Sequence, residues 1–191
     1  MGSVVQQTLM FIIQFIFGLY SFIIVLRLWL RMVDADYNHP FVASIAKSTT
    51  PIVRKLHKYI PDFGSIETAS LVLLLILTLV KLLLVSFISG HIPQVGGLLA
   101  WTLASMIEAL LDTVFYIMIM MAILSWIPNA QPALYALLMQ ITAPLLMPVR
   151  RFVPLLGGMD LSPVVVLVAI QVIEMLMVQP VIRASLSAAF H

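Results

Sequence analysis

The sequence contains no cysteine, and only 9% of its 191 residues carry a formal charge. The first absence excludes disulfides, thiolate metal sites and a cysteine nucleophile. The formal net charge is +2, so the electrostatic footprint of nucleic-acid binding is missing as well. The four histidines are scattered without an HExxH or similar metal-ligand spacing, and there is no glycine-rich phosphate loop. We therefore expect neither an enzyme nor a bound metal or cofactor.

Apolar residues make up 62% of the chain, and they form runs long enough to cross a membrane. A hydrocarbon core of roughly 30 Å takes about 20 helical residues. Four transmembrane helices are predicted, over residues 4–30, 66–89, 97–127 and 161–183. Trp29 and Arg31 at the end of the first span are typical interface anchors. The sequence therefore predicts an all-α integral membrane protein.

One motif occurs twice in the chain. The segment TAPLLMPVRRFVPLLGGMDLSP, residues 142–163, aligns without a gap with TTPIVRKLHKYIPDFGSIETAS, residues 49–70, at an offset of 93. A pattern repeated at a fixed offset indicates two copies of one structural unit, here residues 1–92 and 93–191. Because each copy has two spans, we expect parallel repeats related by an axis along the membrane normal.

Each repeat also has a long connector that is too apolar to be an open loop. Apolar residues at helical spacing oppose basic residues, which predicts a short amphipathic helix in the membrane interface. A proline is expected at the first position of each helix (Pro51 and Pro144), where the missing N–H costs nothing. A second proline then ends the helix, and a glycine allows the turn into the next span. The residues assigned to this motif are Pro51, Pro61, Gly64, Pro144, Pro148, Pro154, Gly157, Asp160 and Pro163.

The basic residues predict the orientation of the chain. The two connectors and their flanks hold eight of the ten Lys and Arg residues, whereas the short turn over residues 90–96 holds none. The positive-inside rule then puts both connectors in the cytoplasm and both termini outside. The candidates for contact with anionic headgroups or a partner are Lys55, Lys58, Arg150 and Arg151.

Four ionisable residues lie deep within the predicted spans: Lys81, Glu108, Asp112 and Glu174. Charges in the bilayer core are costly, so they usually face the bundle interior and find partners. The 93-residue offset relates Lys81 to Glu174 and predicts an ion pair between them, with a bridge from Lys81 to Asp112 as the alternative. Glu108 and Asp112 are four residues apart and repel each other, unless one is protonated or a cation lies between them.

Two interpretations of these buried charges remain open. Polar side chains within a membrane bundle often hold helices together through interhelical pairing. The other interpretation is a path for a cation or a proton. Four spans are few for a complete transporter, so a dimer would favour that function.

The second copy of the motif resembles the signature of the YggT family, also called YlmG, of bacterial and plastid membrane proteins. The residues that carry the resemblance are Pro144, Pro148, Arg150, Arg151, Pro154, Gly157, Asp160, Ser162 and Pro163, with Ser125 and Trp126 before them. The resemblance covers essentially the whole chain, in the duplicated form typical of proteobacterial members. The first copy departs from the signature at Lys55, His57, Glu67 and Ser70.

The resemblance implies no established chemistry. Relatives are associated with osmotic stress tolerance and ion homeostasis, with envelope or division organisation, and with assembly of haem-bearing cytochrome b in plastids. We therefore expect a non-enzymatic protein of the bacterial inner membrane that acts in membrane organisation or assembly and in osmotic stress adaptation. Its expected partners are anionic lipid, another membrane protein or a second copy of itself. The alternative is a small potassium or proton channel or transporter lined by the buried charges.

Overall fold

The computed structural model describes residues 4–64, 66–126, 132–153 and 161–190. Its helices are α1 (Val4–Met32), α2 (Pro40–His57), α3 (Thr68–Ile88), α4 (Val95–Trp126), α5 (Pro132–Arg150), α6 (Ser162–Ile173) and α7 (Gln179–Phe190). A π-helical segment, Glu174–Val178, joins α6 to α7 without a break. These described residues contain no β-strand, and the fold is all-helical.

Five helical segments are long and apolar enough to cross a membrane: Val4–Met32, Thr68–Ile88, Val95–Leu124, Pro132–Arg150 and Ser162–Ala189. Four of them coincide with the spans expected from the sequence. The fifth is α5, which the sequence placed in the second connector. By the length and composition of its helices, the chain is a multi-pass membrane protein.

Long helices that follow one another in the chain are antiparallel. Near the start of α1, Gln6 Nε2 donates to Ile88 O at the end of α3, at 2.7 Å. In the second half, Gln94 N donates to Ala189 O at 2.8 Å, so the end of α7 meets the start of α4. α3 therefore runs back along α1, and α6 and α7 run back along α4.

The two halves of the chain share one core. One apolar core joins the later parts of α1 and α4 to α2, α5 and α6. Its buried residues include Leu26, Leu30, Val42, Ile45, Ile117, Met118, Leu138, Ile141, Leu146, Val166 and Ile170. Since α1 and α4 both end in this core, residues 33–64, 66–67 and 132–153 lie at one end of the bundle, which we call the connector end. Residues 89–94 and the end of α7 form the far end.

Pro51 and Pro144 do not begin helices, so that prediction is wrong. α2 begins at Pro40, where His39 Nδ1 accepts from Phe41 N at 3.3 Å, and α5 begins at Pro132. The two prolines lie in the helix interiors instead, as does Pro148. An interior proline costs a helix about 3 kcal/mol. In α2, a buried stripe of Val42, Ile45, Thr49 and Val53 packs on both sides of the proline and offsets that cost.

Other parts of the predicted motif lie where the sequence placed them. α2 ends at His57, four residues before Pro61, and Gly64 has a φ of +62°, which suits the turn into α3. Pro163 is in the first turn of α6. Pro154, Gly157 and Asp160 lie outside the described residues.

Candidate functional site

Arg27 and Glu67 form a buried ion pair at the connector end. Arg27 Nε lies 2.7 Å from Glu67 Oε2, and Arg27 Nη2 donates to Glu67 Oε1 at 2.8 Å. The Glu67 side chain is only 2% exposed and that of Arg27 11%. Arg27 Nη1 also donates to the hydroxyls of Thr49 and Thr50, at 2.8 and 3.0 Å. One guanidinium thus joins α1, α2 and the start of α3.

A second arginine extends this cluster towards the surface. Arg31 Nη1 lies 3.2 Å from Glu67 Oε1, and Arg31 Nη2 donates to Asp62 Oδ2. His57 Nδ1 lies 3.3 Å from Asp62 Oδ1. Two carboxylates therefore balance the two arginines of this cluster.

The ionisation of Glu67 is set by opposing effects. Burial by itself raises the pKa of this carboxyl, because it disfavours the charged form. Hydrogen bonds from Arg27 and Ser70, together with the charges of Arg27 and Arg31, outweigh burial and hold the pKa of Glu67 below its usual value. Glu67 is therefore ionised at neutral pH, and its charge belongs to the ion pair.

Beside this cluster, α1 and α2 enclose a cavity of about 170 Å³. Its lining residues are Arg27, Arg31, Thr50, Val53, Arg54, His57 and Glu67. Since the other charges of the cluster balance, Arg54 supplies the excess positive charge. Arg54 is exposed, so the cavity can accept an anionic group from the surrounding medium.

The four basic residues predicted for lipid or partner contact are all exposed at the connector end: Lys55, Lys58, Arg150 and Arg151. Three aromatic side chains next to them in the sequence are at least four-fifths exposed: Tyr59, Phe63 and Phe152. Aromatic rings and basic side chains together are typical of the headgroup level of a membrane. The connector end therefore has the composition of a headgroup-facing surface.

A second polar cavity, of about 250 Å³, lies between α1, α3 and α4. It is lined by Gly18, Ser21, Phe22, Lys81, Ser105, Glu108, Ala109, Asp112, Thr113 and Tyr116. Three of the four charges that the sequence grouped together, Lys81, Glu108 and Asp112, therefore share one site. Glu174 does not line it, although its charge acts on both carboxylates.

The ion pair expected between Lys81 and Glu174 is not formed among the described residues, so that prediction is wrong. α4 packs against α3 and also against α6, the π-helical segment and α7, whereas none of these three packs extensively against α3. Lys81 consequently meets the charges of Glu108 and Asp112, which α4 supplies. Glu174 lines a separate cavity of about 660 Å³ with Gln171, Gln179, Arg183 and apolar residues.

The π-helical segment brings a further residue to this region. Gln179 N donates to Glu174 O, five residues earlier, and Pro180 has no N–H to continue the regular pattern. The side chain of Gln179 reaches across to α4, where Nε2 donates to Glu108 Oε1 at 3.0 Å. Gln179 was not predicted as part of the site. The available signal is a glutamine directly before a proline within an apolar span.

Replacing Gln179 by leucine is expected to lower the free energy of unfolding by about 0.5–2 kcal/mol, the range found for hydrogen bonds between membrane helices. Gln171→Leu is the matched control, because the side chain of Gln171 is hydrogen-bonded, within the described part of the chain, only to the neighbouring Glu174, at 3.4 Å. Unfolding of both variants in mild detergent measures the difference. Equal losses would show that the bond between Gln179 and Glu108 contributes nothing.

Fold and composition define this chain as an all-helical multi-pass membrane protein with two charged clusters. The sequence profile of the CCB3/YggT family matches residues 6–88 and 100–181, which is most of the chain. The chain belongs to the CCB3/YggT family.

Several relatives match over nearly their full length. The "Uncharacterized protein YggT" of Escherichia coli K12 is 31% identical over 172 residues, which are 89% of this chain and 89% of the relative. An uncharacterized protein of Pseudomonas aeruginosa is 37% identical over 173 residues, 88% of this chain and 87% of its own. A protein of Vibrio alginolyticus named for the proC 3' region is 31% identical over 174 residues, which are 90% of this chain and 94% of the relative. No solved structure matches the chain.

Proposed function

We propose that this protein organises the bacterial inner membrane without catalysing a reaction, by binding anionic lipid headgroups at its connector end. The observation that carries the proposal is that Arg54, Lys55 and Lys58 are exposed at the end of α2, where Arg54 lines the cavity, as Arg150 and Arg151 are exposed at the end of α5. Each basic residue near an anionic surface contributes about 1 kcal/mol to binding. The family resemblance implies a role in adaptation to osmotic stress, and we propose that lipid binding at the connector end serves that role.

The orientation is part of this proposal. Apart from Lys81, the only Lys or Arg of the sequence outside the connector end is Arg183 in α7, whereas the connector end has eight. The positive-inside rule therefore favours a cytoplasmic connector end, where the leaflet facing it is rich in anionic lipid. Labelling of single introduced cysteines from either side of the membrane tests this orientation.

We also propose that the chain is a tandem duplication with a binding element in each copy. Adding 93 to the bounds of α2 gives residues 133–150, beside the observed Pro132–Arg150 of α5. The same offset takes the start of α3 to residue 161, beside the observed start of α6 at Ser162. The matched family segments end at residues 88 and 181, which differ by the same amount. Each copy then supplies one of the two basic helix ends.

Neutralising the basic end of α2 is expected to weaken binding of phosphatidylglycerol. The triple change Arg54→Gln, Lys55→Gln and Lys58→Gln removes three charges near the surface, so affinity should fall about a hundredfold, and Arg54→Gln alone about fivefold. The measurement is the thermal midpoint of the purified protein, titrated with phosphatidylglycerol or with zwitterionic phosphatidylcholine. Added salt should reduce the difference between the two lipids.

Arg183→Gln is the matched control for the single change, because it removes one basic residue towards the far end. Its response to phosphatidylglycerol should equal that of the unchanged protein. If the triple variant kept the same preference for phosphatidylglycerol, the proposed headgroup site would be refuted. Recovery of a cross-linked protein at Arg151 with lipid preference unchanged would favour a protein partner instead.

The cavity around Lys81, Glu108 and Asp112 favours a second candidate, which is conduction of a small cation or a proton. Charged side chains that line a polar cavity within a membrane are typical of ion pathways. Flux of potassium or protons into liposomes, lost in Asp112→Asn with the fold intact, would support this candidate. Changes that lower stability without affecting flux would favour a purely structural role.

A further inference from the structure

With all of its ionisable groups charged, the cavity between α1, α3 and α4 has one negative charge in excess. It contains one basic side chain, Lys81, and two acidic ones, Glu108 and Asp112. Gln179 donates a hydrogen bond to Glu108. In the described part of the chain, Asp112 has neither a hydrogen bond nor an ion pair. A carboxylate in the bilayer core is normally paired, so the site lacks one positive charge.

Two serine hydroxyls line the same cavity without a partner. Ser21 of α1 is 6% exposed and Ser105 of α4 is 5% exposed, and neither has a hydrogen bond to any described residue. The neighbouring hydroxyl of Thr113, by contrast, donates to Ala109 O at 2.8 Å. Among the described residues, neither of these serine oxygens counts as a sealed atom without a partner, so both are accessible from the cavity. A hydroxyl that faces the cavity and makes no hydrogen bond within the protein is available to bind an occupant of the cavity.

We propose that this cavity binds one monovalent alkali cation, with the carboxylates of Asp112 and Glu108 and the hydroxyls of Ser21 and Ser105 as its oxygen ligands. Hard cations take oxygen ligands of these kinds. A single positive charge balances the excess in the cavity. The described residues contain no group of three or more His, Asp or Glu residues that would hold a more highly charged metal.

The size of the cavity suits a partly hydrated ion. Its volume of about 250 Å³ corresponds to on the order of eight water molecules at their volume in the liquid. The four ligands come from α1 and α4, so a bound cation joins the first half of the bundle to the second. Neither ion flux nor lipid binding at the connector end is needed for this site.

The test uses the purified full chain at constant ionic strength. N-methylglucamine chloride, whose cation is too bulky for the site, is replaced stepwise by potassium or sodium chloride while the thermal midpoint is measured. A cation that binds the folded protein should raise the midpoint saturably, by about 3–6 °C at ten times its dissociation constant. Equilibrium binding of radioactive rubidium or sodium gives a second measurement that does not depend on stability.

Three variants identify the site. Asp112→Asn should abolish both the cation-dependent shift and tracer binding. The double change Ser21→Ala and Ser105→Ala should weaken binding about tenfold while the midpoint in N-methylglucamine chloride stays nearly unchanged. Ser86→Ala is the matched control, because Ser86 has a buried hydroxyl without a hydrogen-bond partner on α3 but does not line the cavity. It should bind the cation normally.

Two outcomes would overturn the proposal. Equal midpoints in all three salts, with no tracer bound, would show that no alkali cation enters the cavity. A midpoint that rises only on acidification, with no added effect of salt, would show that a proton neutralises the site instead. The groups that would titrate there are Lys81, Glu108, Asp112 and Tyr116, with Glu174 acting from the neighbouring π-helical segment.

Discussion

Replacing Glu67 by glutamine is expected to lower the free energy of unfolding by about 3–5 kcal/mol. The change removes the negative charge that balances Arg27, whose guanidinium is nearly buried. Glutamine has nearly the same shape as glutamate, so the lost free energy of unfolding comes from the missing charge and not from altered packing. Unfolding of the purified protein in mild detergent, followed by circular dichroism, measures it. Because Arg27 also joins Thr49 and Thr50, we expect α2 to loosen first.

Asp62→Asn is the matched control, since it makes the same chemical change in the same cluster at a carboxylate that is 17% exposed, against 2% for Glu67, and whose partner Arg31 is 38% exposed. Ion pairs at such positions contribute about 1 kcal/mol or less. Equal losses in the two variants would show that burial of Glu67 has no energetic role. Hydrogen exchange at the backbone amides of α2 would then separate local loosening from global unfolding.

The effect of Glu67 also has a definite pH dependence. Its pKa is lowered in the folded protein, so the folded state binds fewer protons than the unfolded state near that pKa. The stabilisation is complete above the ordinary glutamate range, near pH 4–5, and is lost as the pH falls through the folded pKa. The stability difference between the unchanged protein and Glu67→Gln should therefore be constant from pH 8 to about 5.5 and shrink below that.

Gly97→Ala is expected to give the second large effect, because the added methyl group has no space. A Cβ built on Gly97 would lie 2.4 Å from Ala189 N and 2.5 Å from its Cα, well inside van der Waals contact. Both atoms are backbone, so no side-chain rotation relieves the clash. The end of α7 must move away from α4, which costs about 1–3 kcal/mol or more. It also strains the hydrogen bond from Gln94 N to Ala189 O.

Gly96→Ala serves as its matched control. Gly96 precedes Gly97 in the same helix, and a Cβ there meets nothing within 4 Å. Alanine has a higher helix propensity than glycine, so Gly96→Ala should be neutral or slightly stabilising. Thermal midpoints of the two variants in the same detergent give the comparison. A Gly97→Ala protein as stable as Gly96→Ala would show that α4 and α7 do not approach this closely.

The positions of the long helices could be predicted from sequence because apolar run length determines them. The second span, expected over residues 66–89, is Thr68–Ile88, and the third, expected over 97–127, is Val95–Trp126. The connector helices could not be predicted as well. Proline usually marks a helix start, so the sequence placed Pro51 at the first position. The periodicity around Pro51 does not reveal that burial of Val42 and Val53 on both sides of the proline stabilises a helix that continues through it.

A repeat offset relates equivalent positions in the two copies, but it does not predict which charged side chains are in contact. The offset relates Lys81 to Glu174, but it does not say that α4 lies between their helices. The pair of Arg27 and Glu67 joins residues 40 positions apart, and periodicity within each helix contains no information about such contacts. Helical spacing did identify Glu108 and Asp112 as neighbours of Lys81 in one polar region, and the structure places all three around one cavity.

The ion pair of Arg27 and Glu67 has a consequence for how the protein is made. Arg27 leaves the ribosome 40 residues before Glu67, which is about 2–8 s at ordinary rates of synthesis. During that interval, α1 has two unpaired arginines at its trailing end, and these hold that end at the membrane surface. The connector can close only when the start of α3 arrives. Arg27 thus has two roles in succession: it holds the end of α1 at the membrane surface, and it later joins α1 to α2 and to the start of α3.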